Sequence, residues 1–126
     1  MNLYGYLNRL EDTLRSRSEI IIRDLRTREY LQRGFFQAQV QFLDGSELSV
    51  VESGIHVDGR EVGREKYVFH YQRADGTLIF RYDRSPHYPD LPTFPAHKHT
   101  PDGVIPSAAP DLADVLREID ELLYPG

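Results

Sequence analysis

Between Arg81 and His99 the chain crowds Arg81, Tyr82, Asp83, Arg84, His87, Asp90, His97, Lys98 and His99, with His70 a short way ahead. Histidine changes charge near neutral pH and serves as general base or acid. Arginine and lysine offset negative charge that develops on a phosphorus centre. These types together suit metal-independent cleavage of RNA. A base takes the 2′-hydroxyl proton, an acid protonates the leaving oxygen, and Arg81 and Lys98 stabilise the phosphorane. Tyr82 adds a further acid if its hydroxyl reaches the loop. A plainer reading has Arg81 and Asp83 pairing along one strand face, as structural ion pairs commonly do.

The pair His97-x-His99 also resembles those that hold zinc or iron from a strand, with Asp83 or His87 as a third ligand. Such pairs alternate along strands often by chance, and Lys98 between them adds positive charge. A metal is therefore the lesser alternative, and no metal or cofactor is called for. A further alternative is a non-enzymatic module that binds a protein or nucleic acid through the same segment. His70 lies midway along an expected strand, where a hydrogen-bonded core or face residue is the plainer reading unless Arg81 and His99 are neighbours. His56 sits by a turn and reads as solvated.

The elements that must position these residues can be read from periodicity. Residues 2–16 carry Leu3, Leu7, Leu10 and Leu14 at helical spacing. Residues 18–32 read as an edge strand, from Ile20, Ile21 and Ile22 and the polar run after them, carrying Arg23, Arg26, Arg28 and Arg33 and broken near Gly34. Phe36, Ala38, Val40 and Phe42 alternate with glutamines in a half-buried strand. A three-residue loop around Asp44-Gly45 with a glycine bulge would place Leu48 and Val50 on the same face as Val40 and Phe42.

A second hairpin is expected over residues 66–83. With Asp75-Gly76 as a two-residue turn, Tyr71 pairs with Phe80, Phe69 with Tyr82, and Arg73 with Leu78. His70 then pairs with Arg81, Gln72 with Ile79, and Val68 with Asp83 on the other face. A one-residue slip would mix the two sets. Tyr67, Phe69 and Tyr71 read as core. Residues 84–109 hold six prolines, which remove donors and fix φ, so a long ordered loop is expected there. A last helix runs from about Pro110 to Leu123, with Pro110 at its first position and Leu112, Val115, Leu116, Ile119, Leu122 and Leu123 as its apolar stripe. The expected fold is α+β, a mostly antiparallel sheet of about five strands with an N-terminal and a C-terminal helix.

Bulk properties narrow the function. The 126 residues fit one domain, and the absence of cysteine excludes disulfides, thiolate metal sites and a cysteine nucleophile. No secretion signal or membrane-length apolar run is seen, which reads as cytoplasmic with no membrane contact. A formal net charge of −5 argues against tight non-specific binding of nucleic acid. Residues 111–126 hold five acids against Arg117, a net of −4, leaving −1 for the rest. That acidic helix face reads as solvated, with docking of a basic partner as the alternative. Of the 15 basic residues 13 are Arg, a better partner for phosphate than Lys, though a GC-rich genome would give the same bias.

Several blocks carry a family resemblance. Lys66-Tyr67-x-x-His70-Tyr71-Gln72, then Leu78-Ile79-Phe80-Arg81-Tyr82-Asp83-x-x-Pro86-His87, then Thr93-Phe94-Pro95-x-His97-Lys98-His99, and Pro106-Ser107 before a helix together resemble the TumE family of toxin–antitoxin toxins. The resemblance spans roughly residues 50–123. It implies a small toxin thought to target RNA, with a helix-turn-helix antitoxin as partner. It carries over Arg81, Tyr82, Asp83, His87, His97, Lys98 and His99 as candidate functional residues, without assigning their roles. The chain departs from the family pattern at Tyr88 and Ala96, where histidine is frequent. A homodimer is left open.

Overall fold

The computed structural model describes residues 1–84 and 88–126. The chain order is α1 (Leu3–Arg15), β1 (Ile20–Tyr30), β2 (Arg33–Phe42), β3 (Glu47–Asp58), β4 (Glu61–Gly63), β5 (Lys66–Gln72), β6 (Leu78–Arg84), β7 (Ala96–Thr100), β8 (Gly103–Pro106) and α2 (Leu112–Leu123). The strands form one antiparallel sheet in the order β1-β2-β3-β5-β6-β7-β8, with β4 paired to the far end of β3. The α+β class and both terminal helices match expectation, but the sheet has eight strands rather than about five. The added strands are β4, β7 and β8. The last two lie inside the proline-rich stretch, three of whose prolines stand at the strand ends. Pro95 precedes β7, Pro101 lies in the β7–β8 turn and Pro106 ends β8. A strand end tolerates a missing donor, so these prolines bound strands rather than forbid them.

The alternation of β2, β3 and β5 sends Phe36, Ala38, Val40, Phe42, Leu48, Val50, Ile55, Tyr67, Phe69 and Tyr71 to one buried face. Leu3, Tyr6, Leu7, Leu10 and Leu14 of α1 and Leu112, Val115, Leu116 and Ile119 of α2 cover that face. A fully buried Leu or Phe contributes roughly 1.5–3 kcal/mol from apolar burial alone, so this face carries most of the fold's stability. α1 comes so close to β2 that a side chain at Gly34 would meet Leu3 Cδ1 at 2.7 Å. Asn2 caps α1 by accepting from the Gly5 amide. At α2 the cap is Asp111, with Asp114 returning the bond. Pro110 therefore precedes the cap instead of opening the helix.

Turn chemistry sets the registers. Gly45 takes a positive φ in a three-residue loop that closes β2 and β3 as expected, pairing Val40 with Leu48 and Ala38 with Val50. The second hairpin uses the same loop type around Gly76 instead of a two-residue turn. Arg73 and Thr77 close it, and Gln72 therefore faces Leu78. One residue of slack at Ile79 restores the expected pairs Tyr71–Phe80, His70–Arg81, Phe69–Tyr82 and Val68–Asp83. β1 stands at the sheet edge as expected. It is joined to β2 through Leu31 and Gln32, both at positive φ in a two-residue turn. None of the described helices is long and apolar enough to cross a membrane.

Candidate functional site

Antiparallel pairing of β6 with β7 sets Arg81 opposite His99, Tyr82 opposite Lys98, and Asp83 opposite His97. Since β5 already sets His70 opposite Arg81, one row runs His70–Arg81–His99 across three strands. Side chains alternate along a strand, so the cluster divides. Arg81, Asp83, His97 and His99 point away from the helices, and Tyr82 and Lys98 point toward them.

On the side away from the helices the polar groups are joined. Arg81 Nε donates to Asp83 Oδ2 at 3.1 Å, and Arg81 Nη1 lies 3.3 Å from His70 Nδ1. A guanidinium nitrogen only donates, so His70 Nδ1 accepts and its Nε2 donates to Gln72 Oε1 at 3.1 Å. Both nitrogens of His70 are thus engaged in holding the arginine. His70 is hydrogen-bonded on this face, and with Arg81 and His99 neighbours on β6 and β7 it stays among the candidate site residues. The plainer reading of Arg81 and Asp83 as an ion pair also holds, within a larger group.

Beyond Asp83 lie the two histidines. His97 Nε2 is 3.0 Å from Asp83 Oδ1, and His99 Nε2 is 3.7 Å from Asp83 Oδ2. His97 is 1% exposed, and the Tyr88 ring meets its imidazole edge-on at 4.8 Å. Despite their proximity, His97 Nε2 and Asp83 Oδ1 form no hydrogen bond, and among the described residues neither has another partner. His97 Nδ1 faces the Pro95 carbonyl at 3.2 Å. A carbonyl only accepts, so Nδ1 carries a proton and, in the neutral ring, Nε2 presents a lone pair to the carboxylate. One donor atom each from Asp83, His97 and His99 lie within 4.8 Å of one another, so these three could hold a metal ion. Burial, reinforced by His97 and Arg81, holds the His99 pKa below its ordinary value, and Asp83 opposes the shift.

Tyr82 and Lys98 do different work. Lys98 Nζ donates to Glu118 Oε2 of α2 at 2.8 Å, and the Tyr82 hydroxyl donates to Glu118 Oε1. The ammonium also lies over the Tyr82 ring, 4.8 Å from its centroid. Burial and the bond to Glu118 push the Tyr82 hydroxyl up. Burial works to lower the Lys98 pKa, but its bonds to Glu118 and Tyr82 win and raise it. The sheet therefore separates these two residues from the histidines, and they fasten β6 and β7 to the last helix. The acidic helix face is correspondingly not all solvated, since Glu118 holds this pair and Asp120 holds Arg17. His56 is half-buried against Gly63, its partner on β4, rather than solvated. His87 lies outside the described residues.

The supporting groups that residue type alone did not single out are Gln72, Tyr88, Glu118 and the Pro95 carbonyl. Gln72 had a signal, since it stands two residues from His70 on one strand face. The family model described as Toxin TumE matches residues 10–123. The chain belongs to the TumE toxin family. The match reaches well ahead of the roughly 50–123 that the motifs span, and takes in the last six residues of α1 and the first strands. No curated protein and no solved structure matches the chain. A toxin of a toxin–antitoxin system implies an antitoxin partner.

Proposed function

We propose that this toxin acts by cutting RNA on the sheet face turned away from its helices, and that its antitoxin partner is a helix-turn-helix protein. The observation that supports the reading most directly is Arg81, gripped by His70 on one neighbouring strand and by Asp83 on its own, with His99 opposite on the other neighbouring strand. An arginine held from two sides loses little freedom when it receives a phosphate. Among the described residues its Nη2 makes no hydrogen bond. Neighbouring strands stand about 4.8 Å apart, so a group at the His99 position is within reach of a ribose whose phosphate rests on Arg81.

In the reaction a base on the His99 side takes the 2′-hydroxyl proton. The 2′-oxygen then bonds to phosphorus while Arg81 offsets the added negative charge. The bond from phosphorus to the 5′-oxygen breaks, and that oxygen leaves with the electron pair and gains a proton. The products are a 2′,3′-cyclic phosphate and a 5′-hydroxyl. His70 and Asp83 orient Arg81, and Tyr82 and Lys98 hold the strand that carries it.

Purified toxin incubated with single-stranded RNA should yield those two end groups, and its expression should arrest growth. Arg81→Ala should lower cleavage by roughly 100-fold or more, the scale on which loss of one preorganised charge-stabilising donor is felt. Intact RNA together with unimpaired growth would sink the proposal.

A further inference from the structure

His97 Nε2 and Asp83 Oδ1 lie buried 3.0 Å apart, an ion pair only when the ring is protonated, and among the described residues neither makes a hydrogen bond. A buried polar group left unpaired costs on the order of 1–3 kcal/mol. With the His97 Nδ1 proton directed at the Pro95 carbonyl, a neutral ring sets lone pair against lone pair. A cation between them removes the conflict.

We infer that Asp83, His97 and His99 form a binding site for a divalent transition-metal ion of the zinc class, with its fourth position left for water. Two imidazoles and a carboxylate are ligand types that suit zinc, and three protein ligands plus water is the pattern of zinc sites that do chemistry. Bonds of about 2.0–2.2 Å in a tetrahedron hold ligand atoms about 3.3–3.6 Å apart. Here His97 Nε2 lies 3.0 Å from Asp83 Oδ1, and one donor from each of the three residues lies within 4.8 Å of the others. His97 is locked, and the half-exposed His99 has the room to close in.

The surroundings fit a ligand shell. The Pro95 carbonyl fixes the tautomer of His97, and Arg81 occupies Asp83 Oδ2, which leaves Oδ1 directed at His97. Arg81 also brings a positive charge beside the metal. That charge works against binding the cation and for binding a polyanion. The loaded site, with a dication, Arg81⁺ and Asp83⁻, carries a net positive charge that suits an RNA phosphate. This inference deepens the RNA-cleavage reading, on which its catalytic meaning rests. Zinc lowers the pKa of its bound water to about 7, so a metal-bound hydroxide, not the His99 imidazole, takes the 2′-hydroxyl proton and becomes water.

The test separates binding from cleavage. Full-length toxin is stripped with chelator and dialysed. It is then loaded with Zn²⁺, and the retained metal is counted by mass spectrometry. Co²⁺ is titrated in parallel and followed by visible absorption. One Zn²⁺ per chain and a four-coordinate Co²⁺ spectrum are expected. Asp83→Asn and His97→Ala should weaken binding beyond the roughly 10–100-fold that loss of a supporting partner costs. His99→Gln, at a half-exposed position, keeps the test valid should His97→Ala fail to fold. Arg28→Gln, exposed on β1 at the far edge of the sheet, should bind as the unaltered toxin does. Absence of retained Zn²⁺, or retention undiminished in His99→Gln and Asp83→Asn, overturns the inference. Full RNA cleavage by stripped toxin overturns the metal's part in the reaction. Metal bound as expected with RNA left intact upholds the site and overturns the RNA reading instead.

Discussion

Glu52 on β3 and Asp83 on β6 are both buried carboxylates of the same sheet, one facing the helices and the other facing away from them. Glu52 is 0% exposed and is fully provided for. The Tyr6 hydroxyl of α1 donates to Oε1 at 2.5 Å, and Arg64 Nη1 donates to Oε2 at 3.0 Å. Arg64 is itself seated on the Tyr67 ring, 4.5 Å from its centroid. Burial and the Glu52 charge raise the Tyr6 pKa, so the hydroxyl stays protonated as the donor. Asp83 has only Oδ2 in a hydrogen bond, and its Oδ1 faces an imidazole nitrogen with no bond between them. A buried charge whose donors come from the chain fastens the fold. A buried charge with an unanswered oxygen is poised for something the chain does not supply.

The comparison breaks or holds on what each carboxylate's loss costs. The largest effect on stability is expected from Arg64→Ala. It leaves the Glu52 carboxylate buried without its counter-charge, a situation that costs roughly 3–5 kcal/mol. Urea denaturation should show a lower midpoint with an unchanged slope. Tyr6→Phe comes next. It removes one donor, and the unsatisfied oxygen should cost roughly 1–3 kcal/mol in the same measurement. Stability within error of the unaltered toxin in both variants would mean that Glu52 does not fasten α1 to β3.

How far these two carboxylates were readable beforehand differs for a physical reason. The hairpin of β5 and β6 could be placed from its aromatic face, and with it the pairing of His70 with Arg81, because a slip would turn the aromatics to the wrong side. The grouping of Arg81 to His99 was legible as a density of titratable residues, and the division of that group between two faces was not drawn from it. Strand parity holds the separating signal. Tyr82 lies between Arg81 and Asp83, and Lys98 between His97 and His99, so both must point the opposite way once each segment is a strand. β7 was hidden by the prolines around it, and without β7 nothing ties His97 to Asp83. The turn at Leu31-Gln32 was illegible because neither residue is the usual occupant of a positive φ. The Tyr6–Glu52–Arg64 group joins positions 46 residues apart with no local pattern to announce it.

The smallest change in stability is expected at Asp83, and it is the most informative. Asp83→Asn keeps the shape of the side chain and its bond from Arg81 while removing the charge. The amide nitrogen, if placed at the δ1 position, donates to the His97 lone pair, so the buried conflict is relieved rather than created. The two effects oppose, and urea denaturation should place this variant within about 1 kcal/mol of the unaltered toxin, in either direction. Growth arrest should nevertheless be lost on its expression, because the anionic ligand is gone and Arg81 keeps only a neutral acceptor. A loss of 3 kcal/mol or more, near that of Arg64→Ala, would make Asp83 a second fastening like Glu52. Retained growth arrest in a folded Asp83→Asn toxin would remove the carboxylate from function altogether. The expected combination, a stable fold without toxicity, is what distinguishes a carboxylate kept for chemistry from one kept for the fold.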